Sequence, residues 1–263
     1  MKFNVKSLSL KVFLFFLLFT VHYSLFAVSY AAHPLITDDT GTQGAGEFQL
    51  EINGEYAHED EDGMRSDTTE VASIFSYGFA DTVDLVLGVP YQLIRTKEED
   101  ELFTKSGISD VSIEVKWRFY EKNGLSLGLK PGISFPTGDE KKGLGSGKTA
   151  YSIFFITSEE IEPWAFHLNL GYIRNENNAD ERKNLWHASL ATTVEVIKDL
   201  NMVGNIGIER NTDRNLNTHP AFILGGLIYS VSENFDIDFG IKGGLNKPGT
   251  DLTFLAGMAM RFQ

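Results

Sequence analysis

The sequence predicts an all-β fold, a transmembrane antiparallel β-barrel of the outer-membrane type with about 12 strands. Three observations point there. Segments of roughly ten residues alternate apolar and polar side chains, the connections between them alternate long and short, and the outward aromatic residues gather at two heights. In "SDVSIEVKWRFY", Ser109 to Tyr120, the residues Val111, Ile113, Val115, Trp117 and Phe119 alternate with Asp110, Ser112, Glu114, Lys116 and Arg118. Successive side chains leave a strand on opposite sides, so this stretch has one apolar and one charged face. A soluble sandwich would bury the apolar face, whereas an outer-membrane barrel turns it to lipid and lines its lumen with the other.

The chain opens with Lys2, Lys6 and Lys11, continues through "VFLFFLLFT" and reaches "VSYAA" at Val28 to Ala32. A basic region, an apolar region and a small-residue site predict a signal peptide over 1–31, cut after Ala31, and an exported barrel over 32–263. Residues 32–47, "AHPLITDDTGTQGAGE", precede the first strand and are long enough either to fold into the lumen as a partial plug or to hang as a periplasmic tail. The first strand is "FQLEINGEY", with Phe48, Leu50, Ile52 and Tyr56 facing away from Gln49, Glu51, Asn53 and Glu55. Further strands are expected near 69–79, 83–95, 108–119, 125–136, 149–157, 164–174, 185–196, 200–210, 219–230, 235–244 and 252–262. Long connections such as "HEDEDGMRSD", "KEEDELFTKSG" and "NENNADERK" alternate with short ones such as "ADT", "EKNG" and "IKD". Long loops outside and short turns on the periplasmic side are a barrel's signature, and an even strand count returns both ends of the barrel to the periplasm. Tyr77, Phe79, Trp117, Phe119, Trp164, Phe235 and Phe262 then form an inner aromatic girdle; Tyr56, Tyr91, Phe135, Tyr172, Trp186 and Phe222 form an outer one.

Composition narrows the function. A formal charge of −13, which loss of the leader's lysines makes more negative still, argues against nucleic-acid binding. The chain has no cysteine, so no disulfides staple it, and beyond the leader no apolar run is long enough for a membrane-crossing helix. No cofactor is expected. The expected partners are the bilayer of the outer membrane, a small-molecule permeant and the barrel-assembly machinery.

Several stretches resemble the outer-membrane family labelled with the meta-pathway of phenol degradation: "HPLITDDTGTQGAGEFQLE", "GISDVSIEVKWRFY", "FPTGDEKKGLGSGKTAY", "LNLGY" and "DLTFLAGMAMRFQ". Together they span nearly all of the chain beyond the leader. The resemblance implies a barrel of about a dozen strands and a role in uptake of aromatic compounds.

Function is expected in the lumen. Inward phase selects Glu51, Asn53, Asp84, Glu114, Lys116, Arg118, Lys130, His167, His187, Asp236, Asp238, Lys242 and Arg261 as lining residues of a narrow channel. Arg261 should lie between Asp236 and Asp238 on one side and Glu47 and Glu51 on the other, while Lys116 and Arg118 should face Asp84. These charges either sort permeants or fill the interior as a salt-bridge network, since charges removed from bulk water need partners. Three other motifs carry weaker chemistry. His187 and Ser189, two apart on one face, offer a base and a nucleophile with Asn169 to orient the base, but they point away from lipid. His167 and His187 make too thin a set for a metal site. "KGLGSGKTA" imitates a phosphate-binding loop, but Lys142 stands where a glycine belongs and the "YSIFFIT" that follows is unsuited to a helix. The acidic runs Glu59–Asp62 and Glu98–Glu101 read as solvated loops. Passive channel, sealed structural barrel and lipid hydrolase are the readings left open, in that order.

Overall fold

A computed structural model of the chain describes residues 33–61, 64–98, 101–247 and 249–262; the expected leader and the tips of two acidic loops, Asp62 and residues 99–100 included, lie outside the described residues. The chain forms one closed antiparallel sheet. β1 (Phe48–Glu61) pairs with β2 (Met64–Ala80) and β2 with β3 (Val83–Glu98). β3 then pairs with two consecutive segments, β4 (Glu101–Ile108) along its outer half and β5 (Val111–Lys122) along its inner half. β6 (Leu125–Phe135), β7 (Ala150–Ile161), β8 (Trp164–Arg174), β9 (Asn184–Ile197), β10 (Leu200–Glu209), β11 (Ala221–Ser232), β12 (Phe235–Gly244) and β13 (Leu252–Phe262) each lie beside the one before. β13 returns to β1, with Phe48 opposite Phe262 and His58 opposite Leu252. Because β4 and β5 share one place in the wall, the barrel has 12 staves. Closure satisfies every edge, which is why β structure can cross hydrocarbon in this form alone.

All five connections at one end are two residues long: 81–82, 123–124, 162–163, 198–199 and 233–234. Asn123 and Gly124 take positive φ values of 53° and 85°, the geometry a tight hairpin needs to match strand twist. The opposite end carries the longer connections 136–149, 175–183, 210–220 and 245–251. Two expected loops differ. "HEDEDGMRSD" and "KEEDELFTKSG" are mostly strand, because β1 and β2 stay paired out to Glu61 opposite Met64, and β3 and β4 to Glu98 opposite Glu101. Beyond the bilayer a hairpin needs backbone pairing but no apolar face, so alternation fades while the ladder continues. The fourth expected strand is likewise divided at Ser109–Asp110, where the Asp110 carboxylate turns out of the ladder to hold the 136–149 loop.

The apolar face points outward along every stave. Ile113, Val115, Trp117 and Phe119 of β5 are exposed on the barrel's outside, and Ile223, Leu227 and Tyr229 do the same on β11. The aromatic girdles follow, with Tyr77, Trp117, Trp164 and Phe262 exposed near the short-turn end and Tyr56, Tyr91 and Tyr172 near the other. Phe222 is the exception. It lies in phase with buried Leu224 and Ile228, so it points inward, and its ring fills the space that a side chain at Gly207 would take.

Candidate functional site: the barrel lumen

The lumen is occupied by the chain's own residues 33–47, which run around its inner wall in the half nearer the short turns. Starting from β1 and moving backwards, Gly46 N–H donates to Gly78 O of β2 and Gln43 N–H to the Asp84 carboxylate of β3. Thr40 meets β6 through Ser126 Oγ (2.5 Å) and β7 through Ser158 Oγ (3.1 Å). Asp38 is clamped by Asn169 of β8, whose side-chain oxygen accepts from Asp38 N–H at 2.7 Å while its amide donates to Asp38 O at 2.8 Å. Thr37 Oγ1 donates to Ser189 Oγ of β9, and Asn205 Oδ1 of β10 accepts from Ile36 and Thr37 N–H. Leu35 packs on Val203 and Ile228, and His33 Nδ1 lies 2.6 Å from Asp238 Oδ1 of β12. A segment with no secondary structure of its own thus satisfies its backbone on side chains from successive staves. The wall makes room with glycine. A Cβ at Gly240 would stand 2.7 Å from Pro34 Cβ, and one at Gly78 would overlap Gly44 O.

The expected lining residues all face the interior, but several find partners the sequence reading did not assign. Lys116 stands opposite Asp84 in register, yet its Nζ reaches Asp38 at 2.8 Å and Asp39 at 3.0 Å. Asp84 accepts from the Gln43 backbone instead, and Arg118 pairs with Glu121 at 3.1 Å and donates to Asp81 O. Lys130 joins Asp38 and Glu114, each at 3.0 Å. Arg261 pairs with Asp236 as expected, but Asp238 is taken by His33, Glu51 accepts from Gln49 and Asn53, and Glu47 is exposed at the rim. Lys242 lies 3.7 Å from Glu55. The segment accounts for the largest of these changes: it brings two carboxylates, Asp38 and Asp39, into the lumen, where Lys116 and Lys130 turn to them, and its His33 and Gln43 occupy Asp238 and Asp84. The signals for the segment were the polar run "TDDTGT" and the strand glycines opposite it.

The candidate chemistry resolves differently in each case. His187 Nε2 lies 2.9 Å from Ser189 Oγ, and its Nδ1 lies 3.4 Å from Glu209 of β10; Asn169 is bound to Asp38 and does not orient the ring. Ser189 Oγ also accepts the Thr37 hydroxyl and both residues are buried beneath the segment. His167 bonds Ser158 at 2.9 Å. His167 stands opposite Ala191 and His187 opposite Gly171, so four residues, about 13 Å of strand, separate the two rings. Among the described residues no cluster of metal-ligating side chains occurs. "KGLGSGKTA" starts on the last residue of a short 3-10 turn, Glu140–Lys142, and continues as a loop running directly into β7, and a Cβ at Gly147 would overlap the Glu140 carboxylate, so the glycine serves the loop's own packing.

At the outer mouth the loops are tied to one another. Asp110 accepts from Gly138 N, Ser146 N and Ser146 Oγ, burying Leu144. Asn178 N–H donates to Ser146 O, and Arg182 donates to the carbonyls of Asn211, Asp213, Arg214 and Leu216. Below them the segment leaves a cavity of about 180 Å³ against the β1, β2, β3 and β5 wall, reached by Gln49, Glu51, Asn53, Asp84 and Lys116.

Residues 31–262 match the family described as "Putative MetA-pathway of phenol degradation". The chain belongs to this family. Among solved structures, the family member resembles the COG4313 outer membrane channel from Pseudomonas putida F1 at 15% identity, with a TM-score of 0.66, covering 85% of this chain and 98% of that one. It also resembles the NanC porin (12%, TM-score 0.52, 80% and 98%) and the β domain of the Bordetella autotransporter BrkA (11%, TM-score 0.55, 83% and 100%). At these identities the likeness is one of fold, a 12-stave outer-membrane barrel. No curated protein matches the chain.

Proposed function

We propose that this family member is a narrow passive conduit for small solutes across the outer membrane, throttled from within by residues 33–47. One observation carries the reading: the segment crosses the lumen in contact with the wall from β12 round to β3, yet leaves an open space lined by Gln49, Glu51, Asn53 and Asp84. Twelve staves give a lumen between those of eight-strand barrels, filled by side chains, and wide porins. Placing a chain segment inside reduces it to the calibre of single small molecules. The family description supports aromatic compounds among the permeants, and the names of the COG4313 channel and the NanC porin support passage over catalysis. His187 and Ser189 lie under the segment and serve to anchor it. The expected leader and the barrel-assembly machinery supply the route to the membrane.

Reconstitution into planar bilayers tests this. Small, discrete single-channel steps are expected from the full-length barrel. A membrane held at every accessible voltage without steps would leave the sealed structural barrel as the better reading.

A further inference from the structure

At the outer end of β10 the wall turns a cation toward lipid with no anion beside it. Arg210 N–H donates to Trp186 O of β9 at 2.9 Å, and Glu209 N–H donates to Pro220 O, so both ladders of β10 continue past the end of the strand. They set Arg210 between Trp186 and His219. Ile206 and Ile208 are exposed on the barrel's outside, and Arg210 follows them in the same phase. With Tyr172, which stands opposite Trp186, a row of Tyr172, Trp186, Arg210 and His219 crosses four neighbouring staves. This is the level of the outer aromatic girdle, where lipid headgroups begin. The His219 ring meets Trp186 edge-on at 5.0 Å, across the stave that bears Arg210.

Arg210 enters none of the ion pairs among the described residues, and the carboxylates of the adjoining loops are engaged elsewhere. Glu176 is held by Arg174 and Lys183, Asp180 by Arg214, Glu181 by the Asn175 amide and Asp213 by Asn215 N–H, while Glu209 faces the lumen beside His187. The Arg210 Nε is buried, which pins the side chain's stem and keeps its head at this height instead of letting it rise into water. The residue as a whole is only partly buried, so the terminal nitrogens of the fork are the ones left to meet a ligand. A guanidinium at the lipid boundary needs an anion, and on this face the anion comes from the membrane. The outer leaflet of an outer membrane presents phosphate on sugar. Arginine's planar fork matches phosphate with two parallel donors, and the amphipathic indole beside it suits a boundary that is wet on one side and apolar on the other. One step below, Ala188 and Ala221 flank Ile208, leaving a shallow apolar seat for an acyl chain.

We propose that Arg210, walled by Trp186 and His219, seats a phosphate group of a glycolipid in the outer leaflet. The site lies on the outside of the barrel, so it stands whether or not solutes cross the lumen. The test uses the full-length barrel in detergent at neutral pH, titrated with lipid A carrying its phosphates, with lipid A stripped of them, and with inorganic phosphate, the bound species being counted by native mass spectrometry. Saturable binding of the phosphorylated lipid is expected, with the stripped lipid and inorganic phosphate each at least about tenfold weaker. Arg210→Gln should weaken binding at least about tenfold, and Arg210→Lys, which keeps the charge without the fork, severalfold. Arg95→Gln removes an exposed outward cation that stands opposite Asp67 on another part of the wall, and it should leave the affinity unchanged. Should Arg210→Gln fail to fold by circular dichroism, the lysine variant and the stripped lipid still decide. No saturable binding, equal binding of the two lipids, unchanged affinity in the folded Arg210 variants, or the same loss in Arg95→Gln would overturn the inference. Inorganic phosphate bound as tightly as the lipid would also overturn it, by showing a site for a free anion.

Discussion

Arg261 and Asp236 form an ion pair whose side chains are only 18% and 10% exposed, at the point where β12 and β13 meet near the short-turn end. Breaking one half of a buried pair leaves an uncompensated charge, at a cost of about 3–5 kcal/mol. Arg261→Met is therefore expected to destabilise the barrel by that amount in denaturant titrations in micelles, and Asp236→Asn added to it should recover much of the loss. At this scale the face of most strand residues was legible in the sequence and the partner was not. Alternation assigns Lys116 to the interior because Val115 and Trp117 must meet lipid. It cannot say that Lys116 reaches Asp38, 78 positions away in the chain, in preference to Asp84 directly across the ladder. Asp38 lies in a segment without periodicity, and periodicity is what the reading of faces rests on. Phe222 marks the opposite limit. Counting aromatics near strand ends assigns it to the outer girdle, but the gap left by Gly207 opposite draws the ring inward.

The strands were legible as elements because lipid imposes a period of two along the whole height of the bilayer. β12 and β13 fall within the bounds expected, while β1 to β4 run on past the point where the apolar alternation stops. The loops obey polar rules that sequence displays poorly. Glu176, in the 175–183 loop, joins the two ends of that loop by accepting from Arg174 Nε at 2.7 Å and Lys183 Nζ at 2.9 Å. Hydrogen bonds from Lys183 and then Arg174 hold its carboxyl below its ordinary value of 4.5. A carboxylate with a depressed folded value contributes stability that is complete above the ordinary value and is lost as pH falls through the lowered one. Hydrogen exchange of amides 175–183, corrected for its intrinsic pH dependence, should show constant protection from neutral pH down to about 4.5 and falling protection below it. Glu176→Gln should abolish that step, and a wild-type loop indifferent to acid would show that these bonds do not hold it.

At the scale of the whole molecule two structures with different driving forces are nested. The wall is held by a closed backbone ladder and an apolar exterior matched to lipid, neither of which involves residues 33–47. The inner segment is held by side chains drawn from staves between β12 and β3, so its seat is complete only when the last strands are in place. The segment depends on the wall, and the wall does not depend on the segment. Removing residues 33–44 should therefore leave a barrel that folds and inserts. That barrel would carry Lys116 and Lys130 without Asp38, leaving Lys130 paired with Glu114 and Lys116 facing Asp84 across the strand pair. Its lumen would be wider, and single-channel steps severalfold larger than those of the full-length protein are expected in planar bilayers at the same salt. Steps of unchanged size from a folded, truncated barrel would mean that the narrowest point lies in the interlocked loops held by Asp110 and Arg182, and the throttle would have to be sought at the outer mouth.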